Sequence, residues 1–403
     1  MRRSLFVLFA VTSGFAVGNL YFAQPMLGVI SKDLHFGIEQ SGFLVTAVQI
    51  GYVLGVVLLV PLGDLFARNK LVPAMLVLSG LAHFAIGASQ SYSMLLVTMC
   101  ILGVSTISGQ LLVPLAGELS DESNRGRNVS TVVSGMILGI LGSRILSGSL
   151  ADLIGWHFTF VVIGALNLAL AYVLFVNIPV LPKPAHVSYP RLVSGVFSLQ
   201  FKNPKVLLSI FVNAANFTIL SVIWTSITFL LSGAPFHYTP TQIGLWGFVG
   251  IIGAVMARNT GRLIDGGKAK PAAIVAFITV MISLAIGSYA PVSLAFLVIM
   301  LILLDLVMQV IGLTNQTKLI SLFPKARSRI NAAYVSGNFI GGAIGSAGSA
   351  VLYPILGWSG LMWLCVAICA GSFVIWLALN RKGSSWLSNK TLAENALAEA
   401  ESA

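Results

Sequence analysis

Charge is scarce in this chain. Of 403 residues, 9% are Asp, Glu, Lys or Arg, against about 25% in a typical soluble domain. A soluble fold of this length could not cover its surface with so few. Acids are the rarer sign, 12 against 23 Lys and Arg. The three cysteines, Cys100, Cys365 and Cys369, sit in apolar runs with no metal-ligand spacing to histidine. They read as core thiols, not as a disulfide framework or a zinc site. The five histidines (His35, His83, His157, His186, His237) are scattered, with no nucleophile–base pair and no H-E-x-x-H segment. No Walker phosphate loop occurs, which argues against an ATP-driven pump. The expectation is a protein that is not an enzyme and that carries no cofactor and no metal.

What the chain has instead is apolar length. Hydrophobic residues make up 57% of it, in repeated runs of 20 or more, long enough to cross a hydrocarbon core of about 30 Å. The runs are too long and too uniform for alternating barrel strands, so the class is an all-α integral membrane protein. Twelve spans are expected, near 5–30, 40–62, 71–90, 93–119, 128–150, 157–178, 205–231, 241–260, 271–289, 292–317, 331–354 and 360–379. The opening "MRRSLFVLFAVTSGFAVG" imitates a signal peptide, but its apolar stretch continues to about Ile30, which reads as a retained first helix.

The net charge of +11 lies in the connections, not on one basic face, and so reads as a topology signal and not as a nucleic-acid surface. The longest connection, 179–204, is rich in Pro and basic residues. It separates an N-terminal half (1–178) from a C-terminal half (205–380), and a tail (381–403) follows. With the N-terminus inside, almost every Lys and Arg falls on the inner side and the outer loops hold only Lys32. Both termini are therefore expected in the cytoplasm, and the protein in a cytoplasmic membrane.

The chain also repeats itself. Residues 125–156 align without a gap on 327–358, and ten of the 32 pairs are identical. Among them are Arg125/Arg327, Arg127/Arg329, Gly139/Gly341, Gly155/Gly357 and Trp156/Trp358. A second echo sets "VPLGDLFARNK" against "GRLIDGGKAK", Asp64 against Asp265. Two parallel six-helix repeats, each entering from the same side, form a transporter architecture.

The loop between spans 2 and 3 resembles the signature of the major facilitator superfamily, G-x-L-A-D-R-x-G-R-K. Leu62, Asp64 and Arg68 match; Val60, Leu65 and Ala67 depart from it. The second copy keeps Gly261, Leu263 and Asp265. Within the superfamily, "NLYFAQPML", "RGR…SG" and "RSRINAAY" resemble a bacterial group of largely unassigned exporters. The resemblance implies twelve helices around a central cavity lined by spans 1, 4, 7 and 10. A cytoplasmic gate is expected at Asp64, Arg68, Arg125, Arg127, Asp265, Arg327 and Arg329, where charges at helix ends can pair and release as the halves rock.

Polar residues gather in the spans that should line the cavity. Span 1 carries Asn19, Tyr21 and Gln24; span 4 carries Gln110; span 7 carries Asn213, Asn216 and Trp224. Span 10 carries Asp305, Gln309, Gly312 and Gln316 on one helical face. Such groups are costly in lipid unless they face protein or water. They form the expected substrate pathway, together with Arg144 of "GILGSRILSG". Arg144 lies 17 residues past Arg127 (144 − 127), about 25 Å along a helix and so in the outer part of the bilayer. Asp305 is the candidate proton-coupling residue; its alternative is a structural acid satisfied by a neighbouring Asn or Arg.

Two departures from the family's proton–drug antiporters stand out. Met99 occupies the place of their span 4 arginine, and span 5 reads Gly139, Ser143, Arg144, Gly148 where they carry G-x-x-x-G-P-x-x-x-G. The resulting expectation is a monomeric secondary active transporter, driven by protons, that exports a small organic solute by alternating access. Metabolite uptake or uniport without proton coupling is the alternative, and a non-transporting membrane sensor or enzyme a more distant one.

Overall fold

The computed structural model describes residues 3–179, 189–190, 193, 204–250, 269–322 and 327–380. Every regular element among them is helical. In chain order these are α1 (Arg3–Gly18), α2 (Leu27–Asp33), α3 (Gly42–Leu54), α4 (Arg68–Gly87), α5 (Tyr92–Ser105), α6 (Ser108–Glu118), α7 (Arg125–Asn177), α8 (Pro204–Ser232), α9 (Pro240–Leu245), α10 (Ala269–Gly287), α11 (Leu294–Leu322) and α12 (Arg327–Leu379). Eight helical stretches among the described residues are long and apolar enough to cross a membrane. The chain divides into two compact units. One comprises Met1–Tyr189, Trp224–Phe248 and Ser349–Val351; the other comprises Pro190–Ile223, Val249–Gly348 and Leu352–Ala403.

Helix numbers and span numbers differ because some spans are broken and others fused. Expected span 1 is α1 plus α2, joined through a turn at 19–23 and a short 3-10 turn, Gln24–Met26. Pro25 lies in the first turn of that 3-10 segment, where its missing N–H costs nothing. Expected span 4 is α5 plus α6, interrupted at Thr106 and Ile107. Ser105 there bonds back to the Leu102 carbonyl at 2.9 Å, a contact that bends helices.

Helices α7 and α12 are each 53 residues long. Laid straight, either would run about 80 Å, more than twice the hydrocarbon core. Each is divided by one glycine in a left-handed conformation, Gly155 at φ 79° and Gly357 at φ 62°. Only glycine adopts that backbone without strain. The tryptophan after each break is anchored. Trp156 Nε1 donates to Asp33 Oδ2 at 3.0 Å, and Trp358 Nε1 donates to the Gly287 carbonyl at 2.7 Å. The start, break and end of α7 thus recur in α12 at one offset (327 − 125, 357 − 155 and 379 − 177 are all 202).

The internal packing of the two units repeats as well. In the first, Ala10, Gly14 and Gly18 of α1 face Gly135, Gly139 and Ser143 of α7. In the second, Ile210, Ala214 and Thr218 of α8 face Gly337, Gly341 and Gly345 of α12. A methyl group on Gly139 would collide with the Gly14 backbone, so these helices meet main chain to main chain. In lipid, small residues are the means by which helices approach so closely.

Gly139→Val should therefore lower the thermal unfolding midpoint in detergent, by the equivalent of about 1–3 kcal/mol for overpacking. Gly142→Ala is the internal control, since a Cβ there meets nothing within 4 Å. Equal midpoints for the two variants would show that the α1–α7 seam is not tightly packed.

Candidate functional site

The site grows from the break in the first span. Because α1 stops at Gly18, the following residues turn, and Tyr21 and Gln24 are brought onto α7 at Arg144. Arg144 is buried, with 4% exposure. Its Nε donates to Gln24 Oε1 at 2.9 Å. Its guanidinium carbon lies 4.0 Å from the centroid of the Trp224 ring and 4.7 Å from that of Tyr21. Desolvated cation–π contacts of this kind contribute about 2 kcal/mol or more. A neutral amide, two aromatic faces and the Ile140 carbonyl, which accepts from Nη1 at 3.4 Å, are among the groups that hold a charge that would be costly in lipid.

The surroundings of this cluster are closely fitted. Thr228 Oγ1 donates to the Gln24 carbonyl at 3.0 Å, which ties the Trp224 end of α8 to the same turn. Gly244 of α9 packs on the Arg144 backbone, and Gly247 lies over the Arg144 side chain. Gln110 donates to the Tyr52 hydroxyl at 2.9 Å. Four expected pathway residues, Tyr21, Gln24, Arg144 and Trp224, therefore belong to one connected set, while Gln110 is held by Tyr52. Asn19 is directed elsewhere: its amide bonds Thr106 at 3.3 Å and Ser79 at 3.5 Å, linking α4 and the α5–α6 break.

The second unit holds its own polar set. Asn213 of α8 bonds Asn338 of α12. Gln316 of α11 donates to Asn331 at 2.9 Å, and the Tyr334 hydroxyl donates to the Gly312 carbonyl at 2.9 Å. Asn216 instead bonds the Val212 carbonyl of its own helix at 2.8 Å. Asp305 is half-buried on α11, and Gln309, one turn further on, is exposed. Tyr52, Asn331, Tyr334 and Asn338 were not singled out by sequence reasoning. For the last three a signal was available, since they follow at steps of 3 and 4, one face of a helix.

At the Arg68 end of α4, the Arg68 guanidinium bonds Glu118 Oε1 at 2.7 Å and the Gly63 carbonyl at 3.0 Å. Arg125 donates to the Gly117 carbonyl at 3.0 Å. Two of the expected gate arginines thus converge on the end of α6. Arg127 is exposed beside them. The Glu118 side chain is 52% exposed, and ion pairs so open to solvent contribute only about 0–1 kcal/mol. Asp265 and the side chains of Asp64, Arg327 and Arg329 lie outside the described residues.

Long apolar helices in a repeated arrangement, broken where buried polar groups collect, define a multi-pass membrane transporter. The comparisons with known proteins agree. The family model described as Major Facilitator Superfamily matches residues 6–318 and 206–400. The chain belongs to the major facilitator superfamily, and its all-α fold is the twelve-helix fold of that family. It is 35% identical over 376 residues to the uncharacterized transporter YgaY of Escherichia coli O157:H7, covering 93% of this chain and 95% of that protein. It is 28% identical over 381 residues to the probable transporter SCO4007 of Streptomyces coelicolor, covering 93% and 86%. Solved structures share the fold at low identity. The nucleoside transporter NupG has a TM-score of 0.73 at 13% identity, with 95% of this chain and 100% of that chain covered. A D-xylose-proton symporter has a TM-score of 0.70 at 16% identity, with 93% and 96% covered.

Removing the amide acceptor tests the cluster. Gln24→Ala should cost about 1–3 kcal/mol, the range for a buried donor left without its acceptor, whereas Gln24→Glu should retain stability. Thermal unfolding in detergent reads the difference, and equal midpoints for the alanine variant and the unaltered protein would show that the bond carries no weight.

Proposed function

We propose that this chain is a secondary active transporter that exports a small organic solute across a bacterial inner membrane, with proton coupling, by alternating access. The observation that carries the reading is the buried Arg144 guanidinium between Tyr21 and Trp224. It gathers charge, amide and aromatic faces beside a helix break, the arrangement that discontinuous helices give to transporter sites. In this reading Arg144, Gln24, Tyr21, Trp224 and Gln110 contact the solute. Asn213, Asn216, Gln309 and Gln316 supply further hydrogen-bonding positions along the pathway, and Asn19 holds the break in place.

The two moving bodies are residues 1–178 and 205–380, joined by 179–204 and working as a monomer with both termini in the cytoplasm. Asp305 is the proton carrier: it is a half-buried acid within a span-forming helix, and such groups mark proton relays. Asp64, Arg68, Arg125, Arg127, Asp265, Arg327 and Arg329 form the cytoplasmic gate. Arg68 and Arg125 support that role through their bonds to the end of α6. The chemistry is transport without covalent change, so no enzymatic step is assigned.

A thermal-shift screen of the purified protein against metabolites and antibiotics identifies the solute, which is then followed in vesicles. Accumulation should occur in inverted vesicles and depend on an imposed proton gradient; accumulation in right-side-out vesicles alone would establish uptake instead. Asp305→Asn should abolish gradient-driven accumulation while solute counterflow persists, and undiminished gradient-driven transport would remove Asp305 as the proton site. Arg144→Lys should lower transport at least about tenfold, since lysine lacks the planar group that stacks on both rings. Unchanged transport in that variant would place the solute elsewhere.

A further inference from the structure

Helices α1 and α7 leave a cavity on their outer side. It has a volume of about 580 Å³, and its walls are largely apolar, with Val7, Val11 and Phe15 on one side and Leu138, Gly142 and Leu146 on the other. The glycine rungs explain it: Gly14, Gly135 and Gly139 draw the backbones together but supply no side chains to fill the space above the seam. The groove reaches the surface, since Val7 is 49% exposed, Val11 46% and Leu138 68%. From Thr131 to Leu146 it follows 15 residue steps of α7 (146 − 131), about 22 Å of helix. One leaflet of hydrocarbon is about 15 Å deep.

At the Thr131 end a second cavity begins, of about 270 Å³ and of different character. Val7 and Thr131 line both, so the two adjoin. Here the lining is Ser120, Asp121, Asn124, Arg127 and Asn128. Asn128 is spent on Ser120 Oγ at 2.9 Å, and Asn124 on Ser123 Oγ at 3.2 Å. The Arg127 guanidinium makes no hydrogen bond or ion pair among the described residues, and only its backbone carbonyl is used, by Thr131 at 3.0 Å. The Asp121 carboxylate is exposed beside it.

We propose that this paired cavity is a site for one phospholipid molecule that carries both a phosphodiester and a free ammonium. The phosphodiester sits on Arg127, whose planar fork matches phosphate oxygens. The ammonium faces Asp121, and one acyl chain lies in the α1–α7 groove. A zwitterionic head suits the two opposite charges, whereas an anionic head would bring its negative charge against Asp121. The proposal requires only that the chain lies in a bilayer, and it stands apart from the identity of the transported solute.

The test is native mass spectrometry of the full-length protein purified in detergent and supplied in turn with phosphatidylethanolamine, phosphatidylcholine and phosphatidylglycerol. One phosphatidylethanolamine should be retained at collision energies that strip the other two. Arg127→Gln and Asp121→Asn should each lower that retention several-fold. Gly142→Leu fills the groove from a position open enough to take it and should lower retention of all three lipids. Glu122→Gln, exposed beside the cavity but not lining it, should leave retention unchanged. Variants at opposite ends of the site keep the test valid if one of them fails to fold. Equal retention of the three lipids, a preference for phosphatidylglycerol, or full retention in Arg127→Gln would overturn the proposal. Retention of added amphiphilic small molecules with no phospholipid would overturn it in favour of a transported amphiphile.

Discussion

Inside hydrocarbon, no hydrophobic force draws one helix to another, because lipid tails are as apolar as leucine. What remains is contact distance. Here that constraint is met by glycine and alanine rungs at which main chains touch: Gly14 on Gly139, and Ala214 on Gly341. Neither rung has a side chain that could soften the contact, so spacing and register are set together. The register then decides what else can meet. With Gly18 opposite Ser143, the turn that follows Gly18 is delivered onto the residue that follows Ser143, which is Arg144.

A buried guanidinium imposes its own conditions. Its five donors need acceptors, and its charge needs polarisable or polar neighbours. The acceptor comes from a helix break, since Gln24 lies in a 3-10 turn and not in a continuous span. The faces come from Tyr21 and from Trp224, 203 residues further along the chain (224 − 21). In the family's antiporters this stretch of span 5 carries proline. A proline bends a helix through its own geometry, whereas an arginine binds other segments to a straight one. The same position therefore does different physical work, which is why the antiporters' mechanism cannot simply be transferred with the fold.

Much of the architecture was legible in the sequence because it rests on repetition. Arg125 and Arg327, Gly155 and Gly357, and Trp156 and Trp358 mark the starts and breaks of α7 and α12 with no shift in offset. The site was legible only in part. Arg144, Gln24 and Tyr21 announced themselves as polar groups in apolar runs. Their convergence did not, because it depends on a backbone break at 19–23 that no proline marks within it. Asn19 shows the same limit: polarity indicates that a side chain needs a partner, not whether the partner is a solute or the Thr106 hydroxyl. Asn331, Tyr334 and Asn338 fall outside spans 1, 4, 7 and 10, the ones the resemblance implies for the cavity. They lie on α12, the counterpart of the helix that carries Arg144.

The first part of α7 therefore works as a wall with two different sides. Ser143 lines the outward groove, while Arg144, the next residue and about 100° further around the helix, points into the aromatic cluster. Gly139 stands between these regions, pressed on α1. Anything that widens the α1–α7 seam from the groove side must also move the turn that carries Tyr21 and Gln24, because that turn begins directly after the last rung at Gly18. The guanidinium would then lose the Gln24 acceptor and one ring together. The groove and the polar cluster are thus coupled through three small residues, and a substitution at any of them should be felt on both sides of the helix.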